Sequence, residues 1–148
     1  MMAATQTAVQ IRLAEPADIP ELFLMLQRLN RESALAQMHY EPDLFHVSAV
    51  LTYAMAHPEQ MIVIVAQADD RVIGLVFAGL TRHPFFPTHL HVMEWAFYVD
   101  SGFRRNRIAW QLWHQVTRWG RAQGAHAIVR GRYLGGNREQ YTWQRLEA

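Results

Sequence analysis

The stretch "FYVDSGFRRNRIAWQLW", residues 97–113, decides the fold. Phe97, Tyr98 and Val99 end an apolar, strand-like run; Asp100-Ser101-Gly102 breaks it; a helical pattern begins directly after Arg104-Arg105-Asn106-Arg107. A strand feeding a helix through a short turn is the first half of a β-α-β unit. The charge on that turn is unusual. A helix N-terminus carries about half a positive charge and favours acids. Arginines there are locally unfavourable unless an anion shares the site.

The reading extends outward from this point. "LHVMEWAFYV" (90–99) is a strand leading into the turn. "MIVIVAQ" (61–67) and "VIGLVFAGL" (72–80) flank "ADDR" as a hairpin, and "RHPFFPTH" (82–89) is a loop. The strand over 90–99 is apolar on both alternating faces, so helices are expected on both sides of the sheet. Downstream, residues 105–123 form a helix with Ile108, Leu112, Val116 and Trp119 inward. "GAHAIVRGRY" follows as a turn and strand, and "NREQYTWQRL" as a last short helix. Upstream, "VQIRL" is a strand, and "ADIPEL" starts a helix with Asp18 as cap and Glu21 at the capping-box position. A second helix starts near Asp43 and stops before Pro58. The expected order is β-α-α-β-β-β-α-β-α, a single α/β domain over residues 1–148 with a mixed sheet and a parallel crossover over 90–133.

Composition narrows the function classes. The chain is 51% hydrophobic and 18% charged, with no cysteine, which excludes disulfides and thiolate chemistry and fits a reducing, cytoplasmic setting. The N-terminus shows no signal-peptide pattern, and no apolar run reaches the ~20 residues of a membrane span. Residues 1–70 carry three arginines against nine acids, and residues 71–148 carry eleven against four, leaving −6 and +7. Every basic side chain is arginine, whose planar fork suits phosphate. The basic half points to an anionic partner. Nucleic acid is not the expected one, since no helix-turn-helix or stacking motif accompanies the arginines.

Glu94 is the one carboxylate in the run Val92–Val99. Unpaired and buried, it would have a raised pKa, as a general base needs; paired with Arg or His, it is a structural acid. His83, His89 and His91 lie nearby, but in a regular strand Glu94 faces away from His89 and His91, and no HExxH spacing exists. No metal is expected.

Taken together, these segments resemble the GNAT superfamily of acyl-CoA-dependent N-acetyltransferases. "IRLAEPADIPEL", "VIVAQADDRVIGLV", "FYVDSGFRRNRIAWQLW", "WGRAQGAHAIV" and "NREQYTWQRL" fall in the family's order across residues 9–145. The Pro- and Phe-containing loop before the fourth strand is most similar to prophage-encoded members. The resemblance implies acetyl-CoA as co-substrate, with Phe97, Tyr98 and Val99 offering main-chain hydrogen bonds to the pantetheine arm. It also implies a pyrophosphate cradle over Arg104, Arg105, Asn106, Arg107, Ile108 and Ala109, with Asn137 as a further cofactor contact. Arg104 and Ala109 match the ends of the family's Arg/Gln-x-x-Gly-x-Gly/Ala loop, while Arg107 replaces its central glycine. Glu94 takes the place of the strand-four base towards a primary amine. The family's general-acid tyrosine aligns with Gln144, one turn beyond Tyr141. The other reading is a non-catalytic binding or assembly module with a degenerate cofactor site. The family's last two strands are expected to be shortened or absent here, which would leave the fifth strand with an open edge; either a second subunit or, irregularly, the extreme C-terminus would cover it, and a homodimer is expected.

Overall fold

The computed structural model describes residues 8–33, 38–135 and 138–146, with the backbone alone for 132–135, 138 and 139. Six strands form one sheet in the order β1-β2-β3-β4-β5-β6: β1 (Val9–Leu13), β2 (Met61–Ala68), β3 (Arg71–Arg82), β4 (Leu90–Val99), β5 (Ala127–Gly135) and β6 (Arg138–Arg145). All neighbours are antiparallel except β4 and β5. The helices are α1 (Ile19–Arg31), α2 (Leu44–Ala56) and α3 (Ile108–Ala122).

The two-residue turn Asp69-Asp70 sets the β2–β3 register. Asp69 takes φ 52°, a left-handed conformation that Asp tolerates better than most residues. Both strands are almost wholly buried because each sheet face is covered. On one face Ile64, Val76 and Val92 pack under Ile108, Leu112 and Val116 of α3. On the other, Val65, Leu75 and Tyr98 pack under Leu22 and Met25 of α1 and Leu51 and Ala54 of α2. The helical spacing of Ile108, Leu112 and Val116 is thus what presses α3 onto the sheet. Gly120 continues that stripe; a Cβ there would sit 2.8 Å from Val92 Cγ2, so glycine lets the end of α3 approach β4.

Three expectations are corrected. Asp18 does not cap α1: its carboxylate accepts two hydrogen bonds from Arg12, at 2.8 and 2.9 Å, and one from the Glu15 backbone N–H at 2.7 Å. Those bonds hold the Asp18 carboxyl below the usual range, the Arg12 hydrogen bond contributing most. Glu21 instead accepts the Val72 N–H at 3.0 Å, pinning α1 to β3. The terminal segment is strand β6, not a helix, and pairs with β5 from Ala127↔Arg145 to Gly135↔Arg138. Alternation of Tyr141 and Trp143 with polar neighbours is a strand pattern, and the Gly-Gly-Asn preceding it is a hairpin-turn signal. The edge of β5 is therefore filled from within the chain, and the argument for a homodimer that rested on that edge loses its premise. Among the described residues no helix is long and apolar enough to cross a membrane.

Candidate active site

The parallel partners β4 and β5 are joined only through His91↔Ala127, Val92↔Ile128 and Met93↔Val129. Beyond Met93 the two strands part, and among the described residues no strand pairs with that side of β4 as it runs to Val99. A β-bulge lies just past the parting point: Ala78 opposes Glu94 and Phe77 opposes Ala96, leaving Trp95 as the extra residue. The bulge restores Phe97 and Val99 to the α3 face, where Val92 also packs. Ala96 and Tyr98 belong to the opposite core. The Tyr98 side chain is thus a core element, and only its main chain is available to a ligand.

Glu94 and Arg130 are the first residues past the last β4–β5 pair. The Arg130 Nε donates to Glu94 Oε2 at 3.0 Å, and the guanidinium carbon lies 3.8 Å from the Trp113 ring centre and 5.3 Å from that of Phe97. An indole-stacked guanidinium therefore plugs the gap. Burial pushes the Glu94 carboxyl above its ordinary value, and Arg130 offsets part of that rise by charge and hydrogen bonding. Arg130→Met should keep the packing on Trp113 but remove the offset. The native state would then hold the Glu94 proton more strongly than the unfolded chain does. A raised carboxyl pKa costs stability as pH rises above the unfolded value. Thermal melts should show this variant losing more stability than the parent between mildly acidic and neutral pH.

A cleft of about 850 Å³ opens on the α1–α2 side. Its walls include Leu26, Leu29, Val47, Met93 and Trp95, and Glu94, Phe97 and Arg130 reach it through the gap. Tyr141 also lines it, from strand β6 and not from a terminal helix as expected. Asn137 lies outside the described residues.

The arginine turn divides its work. Arg104 Nε donates to the Val99 carbonyl at 2.8 Å, and its terminal nitrogen donates to both Glu32 carboxylate oxygens at 3.0 and 2.9 Å. It ties the end of β4 to the end of α1. Arg107 is the residue before α3, and its guanidinium lies 5.2 Å from the Trp110 ring centre. The helix has no side-chain cap and no acid in its first turn. The backbone N–H groups there therefore have no side-chain oxygen competing with a bound anion. Residues 104–109 contain no positive φ, so the arginine at the glycine position costs no backbone strain. The open β4 edge and uncapped α3 start fit a CoA ester's pantetheine and pyrophosphate.

The histidines do not converge on an ion. His89 stacks on His126 with centroids 5.3 Å apart, and His91 packs on Trp143 at 4.9 Å. Among the described residues no three His, Cys, Asp or Glu side chains gather as a metal set.

Sequence reasoning missed Arg130, Trp113 and Trp95. A lone arginine inside "HAIVRG" was the available signal for Arg130. The bulge that displays Trp95 has no mark in the sequence.

Residues 23–133 match the model of the acetyltransferase (GNAT) family, and the chain belongs to that family. No curated protein matches it. Solved structures share the fold at low identity. Aminoglycoside N-acetyltransferase AAC(6')-Iy in complex with CoA superposes with a TM-score of 0.67 at 17% identity, over 86% of this chain and 78% of that one. A predicted acetyltransferase from Clostridium acetobutylicum, with acetyl-CoA, gives 0.65 at 16%, over 82% and 79%. An acetyltransferase from Vibrio fischeri gives 0.64 at 21%, over 80% and 92%.

Proposed function

We propose that the chain transfers an acetyl group from acetyl-CoA to a primary amine by direct attack, with Glu94 as general base. The observation that carries this reading is the parting of β4 and β5 directly at Glu94, between an uncapped, arginine-flanked helix start and the cleft. The β4 edge from Phe97 to Val99 holds the pantetheine arm by main-chain hydrogen bonds. The N–H groups of residues 105–109, with Arg105 and Arg107, hold the pyrophosphate. Arg130 occupies the gap in the resting protein and must swing aside as the arm enters. Its departure leaves Glu94 buried without its cation, which strengthens the carboxylate as a base. Glu94 then takes a proton from the amine as the nitrogen attacks the thioester carbonyl. The carbon–sulfur bond breaks, and Tyr141, the phenol on the cleft wall, returns a proton to the leaving thiolate. No cysteine is present for a covalent relay. Two of the similar structures hold acetyl-CoA or CoA, which supports the co-substrate.

Calorimetry and thermal shift with acetyl-CoA test the reading. A native-state ligand at about 100 times its Kd stabilises by roughly 2.7 kcal/mol. We expect micromolar or tighter binding, a raised melting temperature, and weakening by salt as the phosphate contacts are screened. No shift at millimolar acetyl-CoA would favour a non-catalytic module of the same fold.

A further inference from the structure

We infer that the acceptor amine carries a flat aromatic body and a single positive charge, and that Trp95 is the surface on which that body stacks. The inference rests on the acyl-transfer reading and names its acceptor class. Two backbone features hold this indole. The bulge makes Trp95 the extra residue of β4. Gly79 on β3 then provides the seat: a Cβ there would come 2.3 Å from Trp95 Cη2, so any side chain larger than hydrogen evicts the ring. Phe77 braces it at 5.0 Å between centroids. The ring so held is still 46% exposed, on the wall of the cleft. Burial does not explain an indole fixed from below and left open above; a stacking surface does.

The charge of the cleft selects the same class. Among the described residues lining it, Glu94 is the one carboxylate, and it is bonded to Arg130. A polycation such as an aminoglycoside needs several acids to replace its hydration, and the described lining offers one. Leu26, Leu29, Val47 and Met93 give the wall an apolar stretch that suits an apolar body, beside the polar Asn30 and Ser33. One ammonium directed at Glu94 and one ring on Trp95 use the cleft's carboxylate and its exposed indole, with Tyr141 as a second aromatic surface.

The test compares 2-phenylethylamine, spermidine and kanamycin as acceptors with acetyl-CoA, alongside calorimetry of acetyl-CoA alone. The arylalkylamine is expected to lead in kcat/KM by at least about tenfold. Trp95→Ala should raise its KM about tenfold or more with a smaller change in kcat, and Trp95→Phe should restore most of the loss. Gly79→Ala, which displaces the ring without removing it, should mimic Trp95→Ala; melting curves verify that both variants fold. Acetyl-CoA binding with kanamycin or spermidine used as well as the arylalkylamine would overturn the inference alone. So would an unchanged KM in a folded Trp95→Ala protein. Absence of acetyl-CoA binding to the native chain would overturn the acyl-transfer reading beneath it.

Discussion

Glu94→Gln is expected to lower turnover by about 10²–10⁴-fold at neutral pH while acetyl-CoA binding changes little, because a positioned base contributes on that order. As the proposed base, Glu94 acts in its ionised form, and burial holds its pKa above the ordinary value. In the parent, turnover should therefore climb with pH through that raised pKa and then level off. The climb should vanish in the glutamine variant, since no group remains to be deprotonated. Glutamine keeps an oxygen to accept from Arg130, so the plug in the β4–β5 gap should persist and the fold with it. A folded variant with parental turnover would make Glu94 a structural acid whose task is to hold Arg130.

The second large effect is on stability. Leu112 is fully buried at the centre of the α3 stripe. A Cβ placed on Gly74 would lie 3.3 Å from Leu112 Cδ1, so the leucine already fills the space between helix and β3. Leu112→Ala leaves a void that neither close-packed neighbour can enter and should cost about 2–5 kcal/mol. Urea titration should show a lower midpoint with an unchanged slope. Because α3 carries Trp113 and, on the acyl-transfer proposal, the N–H groups that hold the pyrophosphate, the same variant should also bind acetyl-CoA more weakly. A midpoint within experimental scatter of the parent would mean that α3 is not anchored by this stripe.

Local pattern carried much of this architecture. The apolar runs of β2, β3 and β4, the Asp69-Asp70 turn and the stripe Ile108-Leu112-Val116 are each confined to a dozen residues or so, and each was legible as sequence. Glu94 was legible for the same reason: one acid in an apolar run is conspicuous. What was not legible depends on partners distant in the chain. Arg130 lies 36 residues beyond Glu94, and sequence left open whether Glu94 was free or paired. Arg104 read as a phosphate ligand, yet its guanidinium is engaged by Glu32, 72 residues away. Trp95 carries no signal of its own in the sequence, because a bulge is set by the register of the neighbouring strand and not by the residues that form it. "NREQYTWQRL" reads as a short helix, and the family resemblance agrees with that reading, although the alternation within 138–145 is that of a strand.

The gap between β4 and β5 also bears on how the chain avoids self-association. A strand with an unpaired side is a template for another chain, and β4 beyond Met93 is such a strand set in the middle of a sheet. Sheet proteins commonly blunt exposed edges with charge, because an intruding strand would have to bury that charge unsolvated. Glu94, Arg130 and Trp113 put an ion pair and a bulky ring across this interior edge. A second polypeptide entering there would have to strip that pair, whereas a slender, flexible thioester arm has only to displace one side chain. The Glu94–Arg130 pair under Trp113 thus makes this interior edge a poor template for an added strand.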